Sequence, residues 1–189
     1  MQKITLAEEK ILVEKAKESL SAFSKLYEYY LPKIYSYLLN RVGDKKTAED
    51  ITSETFLKAM KKIDKFKYQG FTFGSWLYKI AHNSLCDYYK KNKAIISLDE
   101  IKNVPETKNP DILEKIDNNH QIRQVLQYLK EDYQQILALK FFENLSNPEI
   151  AEILGITVNS LNVKLHRSIE AFRKHYVNLF PKEKEVILS

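Results

Sequence analysis

The sequence predicts an all-α protein made of two small helical domains joined by a flexible acidic linker. Apolar residues recur at helical spacing, whereas glycine and proline, which mark the turns of β-proteins, number only 4 and 5 among 189 residues. A stretch with prolines, asparagines and an excess of acidic residues interrupts this pattern at 94–118. We therefore predict domains at 1–93 and 119–189, with the linker between them.

The charge distribution supports the same boundaries. The chain has a formal net charge of +5, with 30 basic and 25 acidic residues. Residues 1–93 carry a net charge of +7, residues 94–118 carry −3, and residues 119–189 carry +1. An acidic segment between two apolar-periodic regions is typical of a linker.

Two helices open the first domain. Thr5 followed by Glu8 is a capping-box pattern that predicts a helix to about Leu20. The next helix ends near Gly43, and Pro32 inside it predicts a kink or a break. Its apolar residues at helical spacing are Phe23, Leu26, Tyr27, Tyr30, Ile34 and Leu38.

Two further helices complete the first domain. Thr47 with Asp50 predicts the start of a third helix that runs to about Ile63. After an irregular stretch, a fourth helix is indicated by one apolar face made of Trp76, Leu77, Ile80, Ala81, Leu85 and Tyr88. The simplest interpretation is that these apolar faces belong to the hydrophobic core.

The second domain begins with two apolar stripes and a second capping box. The stripes are Ile122, Val125, Leu126 and Leu129, followed by Ile136, Leu137 and Lys140 to Phe142. Ser146 with Glu149 three residues later predicts the start of a short helix.

The most specific pattern lies at 146–173 and predicts a helix-turn-helix. Gly155 follows Ala151 by four residues, and Leu161 follows by six more. A small residue fits where the two helices touch, and glycine adopts a positive φ in the turn. The apolar Leu161 then fixes the second helix against the first.

The second helix of this motif has one apolar and one polar face. The predicted buried residues are Val158, Leu161, Leu165, Ile169 and Phe172. Donors suited to base edges and phosphates lie opposite, namely Asn159, Asn162, Lys164, His166, Arg167 and Arg173. The alternative is a helical hairpin whose polar face is merely solvated.

An aromatic, lysine-rich stretch occupies residues 61–93. Six of the thirteen residues from Phe66 to Tyr78 are aromatic, and lysines are interleaved with them. Aromatic rings that stack on unpaired bases, with lysines along the phosphates, are typical of single-strand binding. The alternative is that Trp76, Leu77 and several aromatic residues belong to the core.

Catalytic, metal-binding and membrane-spanning functions are not indicated. The histidines lack metal-ligand spacing, the single cysteine, Cys86, has no obvious base, and no glycine-rich phosphate loop is present. No apolar run reaches the roughly 20 residues that span a bilayer. We expect a non-catalytic cytoplasmic protein without a metal or a cofactor.

In their order, these elements resemble a bacterial RNA polymerase sigma factor of the extracytoplasmic-function (ECF) type over about 10–178. AEDITSETFLKAM is similar to the family's core-polymerase-binding helix, and FKYQGFTFGSWLYKIAHNSLCDYYKK to its promoter-melting and −10 region. The helix-turn-helix resembles its reader of the −35 element. The resemblance implies that the protein binds core polymerase, through the β′ clamp and the β flap, and promoter DNA.

The resemblance implies three sets of site residues. The polymerase-binding set is Asp50, Glu54, Phe56 and Met60, with Ser53 where relatives often have glutamine. The −10 binding and melting set is Lys67, Tyr68, Gln69, Phe71, Phe73, Ser75, Trp76, Lys79, His82 and Asn83. The −35 set is Asn159, Ser160, Asn162, Val163, Lys164, His166, Arg167 and Arg173.

Other partners and functions follow from the same comparison. Many relatives have a basic residue at Asn162, so binding to the −35 element is expected to be weaker here. An accessory DNA-bound protein, for example an RNA-guided one, could then recruit the sigma factor, and an anti-sigma factor could restrain it. A stand-alone helix-turn-helix regulator is the other alternative, although it leaves the first domain unexplained.

Overall fold

The structure is a computed structural model that describes residues 4–68, 70–96 and 117–181. These ranges contain eight α-helices and no strand, which confirms the predicted all-α fold. The chain forms two compact units, Met1–Thr107 and Lys108–Ser189. Most of the predicted linker lies outside the described residues. Within them, no helix combines the length and apolar character needed to cross a membrane.

Four α-helices form the first unit and four the second. The first unit contains α1 (Leu6–Ala16), α2 (Leu20–Val42), α3 (Lys45–Lys62), a 3-10 turn (Ile63–Lys65) and α4 (Phe73–Ile96). The second contains α5 (Asp117–Gln127), α6 (Glu131–Leu137), a π-helical segment (Ala138–Phe142), α7 (Asn147–Leu154) and α8 (Val158–Leu179).

The N-caps of α1, α3 and α7 can be compared with the predicted starts of these helices. Both capping boxes, at Thr5 and at Ser146, are confirmed, although α1 ends at Ala16 and not near Leu20. The predicted start of α3 was three residues late. The Asp44 carboxylate accepts a hydrogen bond from the Thr47 N–H at 2.8 Å, so Asp44 is the N-cap.

Proline does not break α2. The helix continues through Pro32, so the alternative of a break was wrong. Tyr30 and Ile34 on either side of the proline are both buried, and burying these side chains favours the helix despite the missing N–H.

The first unit is built around α2, which packs against α1 and α3, while α4 packs against α3 and α2. Its fully buried side chains include Val13, Leu26, Ile34, Leu38, Ala48, Leu77, Ala81 and Leu85. In the second unit α8 packs against α5, α6 and α7 around a core that includes Val125, Ile136, Leu139, Ile150 and Leu161.

A buried carboxylate joins four parts of the first unit. Glu9 of α1 accepts hydrogen bonds from the Tyr30 hydroxyl of α2, from the Tyr68 hydroxyl at 3.3 Å, and from the Phe73 N–H at the start of α4 at 3.0 Å. The next residue, Gly74, must be small, because a Cβ there would lie 3.0 Å from the Tyr30 hydroxyl oxygen. The Glu9 carboxylate therefore fixes the ends of the segment between Tyr68 and α4.

The Glu9 contacts predict a sensitivity of the first unit to alkali. Burial, followed by the Glu9 charge and hydrogen bond, raises the pKa of Tyr30 far above the ordinary value of 10.0. Above pH 10.0 the folded state therefore keeps the phenol proton of Tyr30, whereas the unfolded chain releases it. This contribution to stability is complete below pH 10 and falls as the pH rises above it.

Tyr30→Phe should remove this ionisation from the unfolded chain. We expect its free energy of unfolding to fall less steeply than that of the unchanged protein between about pH 9 and 11, even though it starts lower at neutral pH. Urea unfolding followed by fluorescence of Trp76, the chain's one tryptophan, measures both slopes. Tyr35→Phe, at a half-buried tyrosine of α2, is the control, and parallel slopes for the unchanged protein and Tyr30→Phe would contradict the assignment.

Candidate polymerase and nucleic-acid interfaces

The exposed side of α3 combines acidic and apolar side chains. Asp50, Ser53 and Glu54 are exposed, as are Leu57, at 53%, and Met60, at 39%. Asp50, Glu54 and Leu57 follow one another at four- and three-residue spacing, which places them on one face of the helix. We call these five residues the α3 face.

Phe56 does not belong to the α3 face, which corrects the sequence-based prediction. Its side chain is 5% exposed and packs edge-on against Tyr27 of α2, with 4.7 Å between the ring centroids. Leu57 takes its place as the large apolar residue at the surface, and its seven-residue spacing from Asp50 was the signal that could have identified it.

Lys58 already engages one of the two acidic residues. Its ammonium lies 2.7 Å from the Glu54 carboxylate and donates to the Ser84 hydroxyl of α4 at 3.0 Å. Asp50, by contrast, makes no ion pair or hydrogen bond with any other described residue through its side chain. Asp50 is therefore the carboxylate of the α3 face that is most readily available to a basic partner.

The aromatic stretch divides into a buried layer and a surface layer. Phe66 and Phe73 are buried, and Phe73 is only 1% exposed. Trp76 lies over both, with ring centroids 5.1 Å and 5.4 Å away, and remains half-buried. Phe71 is also half-buried.

Phe73 and Ser75 are corrections to the predicted −10 set. Phe73 is a core residue, because the hydrogen bond from its N–H to the buried Glu9 carboxylate holds the start of α4 close to α1. Ser75 is buried and its hydroxyl donates to the Thr72 carbonyl at 2.8 Å, while its N–H donates to the Thr72 hydroxyl. Phe73 and Ser75 lie beneath the aromatic surface and are not accessible to a nucleic acid.

The other predicted −10 residues differ in exposure. Lys67 and Asn83 are exposed, Tyr68, Lys79 and His82 are half-buried, and Gln69 lies outside the described residues. Burial and the nearby Arg41 lower the pKa of His82 below its ordinary value of 6.5, so this side chain is neutral at pH 7. His82 therefore contributes no positive charge to phosphate binding.

The helix-turn-helix has the geometry that its spacing predicts. Gly155 has φ 65° and ends α7, while Ala151 and Leu161 are buried where α7 and α8 meet. Thr157 caps α8 by accepting the Ser160 N–H at 3.2 Å.

Six side chains of α8 from the predicted −35 set are exposed, which are Asn159, Asn162, Val163, His166, Arg167 and Arg173. We call these six residues the α8 face. Ser160 is half-buried, and its N–H serves the cap.

Lys164 and Val158 lie elsewhere than predicted. Lys164 is on the same side of α8 as Leu161 and Ser168, and its ammonium pairs with Asp132 of α6 at 3.1 Å. Val158, the first residue of α8, is 39% exposed. Leu165, Ile169 and Phe172 are half-buried, whereas Ser168, which the apolar pattern missed, is fully buried.

Asn147 is another residue that the sequence did not single out. It lies in the first turn of α7, and its side-chain amide donates to Oδ1 of Asn162 at 2.8 Å. In the ranges that the structure describes, no group of three His, Cys, Asp or Glu residues is arranged to hold a metal ion.

These observations define a class of protein. One helical unit presents an acidic and apolar helix face together with an aromatic, lysine-bearing surface, and the other presents a helix-turn-helix with amide and guanidinium donors. The class is a helical DNA-binding protein of transcription.

Comparison with known families agrees with this class. The family model for Sigma-70 region 2 matches residues 26–95, and that for Sigma-70 region 4 matches residues 119–172. The chain therefore belongs to the sigma-70 family of RNA polymerase sigma factors. As a sigma factor, it binds core RNA polymerase and directs promoter-specific initiation of transcription.

Individual relatives place the chain within the ECF type. The chain is 32% identical over 174 residues to the ECF sigma factor SigW of Bacillus subtilis, covering 84% of this chain and 90% of SigW. It is 32% identical to YlaC of the same organism, covering 79% of this chain and 89% of YlaC. It is 33% identical to BldN of Streptomyces coelicolor over 86% of this chain, but that alignment spans only 64% of BldN.

Solved structures share the fold at lower identity. The sigma factor RpoE of Bartonella quintana, solved with the anti-sigma factor NepR, matches with a TM-score of 0.69 and 19% identity over 82% of this chain and 97% of that one. CnrH, solved with the cytosolic domain of CnrY, gives 0.62 and 19% over 87% and 94%. Neither a stand-alone regulator nor an accessory-recruited sigma factor is favoured by these comparisons.

Phe56 and Leu57 are neighbours on α3 but differ in burial, so their substitution by alanine should affect the stability of the protein differently. Phe56→Ala should lower the free energy of unfolding by about 3–5 kcal/mol, because it removes a buried ring from the contact between α2 and α3. Leu57→Ala should change it by less than about 0.5 kcal/mol, because the side chain is mostly exposed. Urea unfolding followed by Trp76 fluorescence tests both, and equal losses would contradict the burial.

Proposed function

We propose that this sigma factor uses three surfaces in initiation. The α3 face binds core polymerase, the segment around the start of α4 captures unpaired −10 bases, and the α8 face reads the −35 element. Residues 1–93 would then form the polymerase- and −10-binding domain, 94–118 the linker, and 119–189 the −35 domain. The observation that carries the proposal is that an acidic helix face and a partly exposed aromatic surface occur together in the unit that contains the region 2 match.

The α3 face suits a basic helical partner such as the coiled coil of the β′ clamp. Asp50 offers an unengaged carboxylate, and Leu57 and Met60 offer apolar area beside it. A charge next to an exposed apolar patch favours both fast association and a desolvated contact. The β flap would be the corresponding partner of the second unit.

The described residues of the −10 surface are Lys67, Tyr68, Phe71, Trp76, Lys79 and Asn83. Gln69, which lies outside the described residues, is assigned to this surface from the sequence alone. Phe71 and Trp76 are both half-buried, and Trp76 packs against the buried Phe73. A partly exposed ring on a rigid base provides a stacking platform, which contributes roughly 1–3 kcal/mol per base. The binding energy of a flipped base offsets the cost of unstacking it, so no catalysis is required.

The α8 face is proposed to enter the major groove at the −35 element. Asn159 and Asn162 are suited to base edges, and Arg167 and Arg173 to phosphates or guanine. His166 lies 3.5 Å from Glu170, so its attraction for phosphates is reduced. Lys164 is not part of this surface, because it is paired with Asp132.

We further propose that the protein acts in the cytoplasm, as a non-catalytic subunit without a cofactor, and that an anti-sigma factor restrains it. Support for the restraint comes from two relatives of the same fold, of which RpoE was solved with the anti-sigma factor NepR and CnrH with the cytosolic domain of CnrY.

Loss of the free carboxylate should weaken the polymerase contact. We expect Asp50→Ala to lower the affinity for core polymerase by about tenfold, because one charge pair at the interface is removed. Binding of labelled protein to core polymerase and run-off transcription measure the effect. Glu18→Ala, an exposed acidic residue outside α3, is the control. Unchanged binding and transcription for Asp50→Ala would refute the proposed docking face.

Two basic residues of α8 should differ in their contribution to DNA binding. Arg167→Ala should reduce the slope of log affinity against log salt concentration by about 1, because one phosphate contact is lost. Lys164→Ala should leave the slope nearly unchanged, because its charge is paired within the protein. Holoenzyme binding to a promoter duplex at several salt concentrations tests this, and the reverse order would contradict the assigned face.

A further inference from the structure

We propose that Asn147 determines which bases Asn162 selects, by fixing the Asn162 amide as a hydrogen-bond donor toward DNA. The inference rests on the proposed reading of the −35 element by α8. Its structural basis is a chain of three side chains that runs from Lys140 in the π-helical segment, through Asn147 in α7, to Asn162 in α8.

The chemistry of Lys140 sets the orientation of Asn147. Its ammonium lies 2.8 Å from Oδ1 of Asn147 and 3.5 Å from the Leu145 carbonyl oxygen. An ammonium group only donates, so it requires the oxygen of the Asn147 amide on its side. The NH₂ group of Asn147 must then point away from Lys140.

Asn147 in turn sets the orientation of Asn162. Nδ2 of Asn147 donates to Oδ1 of Asn162 at 2.8 Å. Because the two amide atoms of Asn162 lie on opposite sides of one planar group, turning Oδ1 toward α7 turns Nδ2 away from it. Asn162 is exposed, so its NH₂ group is the part of the amide presented to a partner.

This orientation implies a preference among bases. A freely turning asparagine pairs with adenine in the major groove by accepting from N6 and donating to N7. Here the oxygen is held by Asn147, and the outward NH₂ group donates only. Guanine, which presents the two acceptors N7 and O6 and no donor, matches this NH₂ group best. Adenine N7 and thymine O4 each offer a single acceptor, and cytosine, which presents only its N4 donor, offers none.

Asn147→Asp is a nearly isosteric variant that should reverse the orientation. A carboxylate at this position still pairs with Lys140 but has no hydrogen to donate, so Asn162 must turn its NH₂ group toward it. The outward atom is then Oδ1, which accepts from adenine N6 or cytosine N4. The preference should move from guanine, which presents only acceptors, to adenine or cytosine, which present a donor.

The experiment is transcription by holoenzyme, formed from the full chain and core polymerase, on promoters with a randomised −35 element, followed by sequencing of the transcribed templates. Asn162→Ala identifies the base position that this side chain reads. At that position, Asn147→Asp should lower the ratio of guanine to adenine or cytosine about fivefold or more. Asn144→Asp is the matched control, because it adds the same charge at an exposed neighbouring residue whose positive φ aspartate tolerates.

The outcomes separate the inference from the function on which it rests. A shift with Asn147→Asp that is absent with Asn144→Asp, with unchanged thermal unfolding of the variant, supports the inference. If Asn162→Ala changes selection but the two aspartate variants behave alike, or if Asn162→Ala changes nothing, the inference is wrong while the sigma-factor assignment stands. If the unchanged protein selects no −35 sequence, the proposed role of α8 fails, and the inference fails with it.

Discussion

The first unit depends on the buried carboxylate of Glu9. A carboxyl group inside a protein is costly unless donors surround it, and here the donors come from α2, from Tyr68 and from the backbone at the start of α4. Each donor fixes one element relative to α1. The segment that leads into α4 therefore has both its ends held by one side chain, and the aromatic rings above it gain a fixed base.

This arrangement explains why some aromatic residues of the same segment are buried and others are partly exposed. Phe66 and Phe73 are buried because the start of α4 is held close to α1 and α2, and Gly74 allows the approach to Tyr30. Trp76 then packs on the two buried rings and keeps part of its surface exposed. The stacking platform that we propose for an unpaired base requires this combination, because a ring without support underneath would lose conformational freedom on binding.

Much of the fold could be predicted from the sequence, because apolar periodicity and caps are local signals. The capping boxes at Thr5 and Ser146 and the turn at Gly155 were confirmed. Burial of individual site residues was harder to predict, because it depends on contacts between distant parts of the chain. Phe56 is buried against Tyr27, and Phe73 is buried through Glu9, which lies 64 residues away. Neither contact leaves a pattern in the local sequence.

The second unit shows how side-chain pairing alters the recognition surface that a helical wheel predicts. Lys164 pairs with Asp132, and His166 lies close to Glu170, so positive charge on α8 is left mainly to arginines and to Lys174, which is exposed. Fewer free cations neutralise fewer phosphates, and that part of the affinity carries no sequence information. The share of base-edge contacts in recognition is correspondingly larger, which makes the orientation of a single amide important. An amide that hydrogen bonds have already oriented loses less conformational entropy when it meets a base. On the proposed reading of the −35 element by α8, the contact between α7 and α8 therefore influences promoter choice as well as holding the motif together.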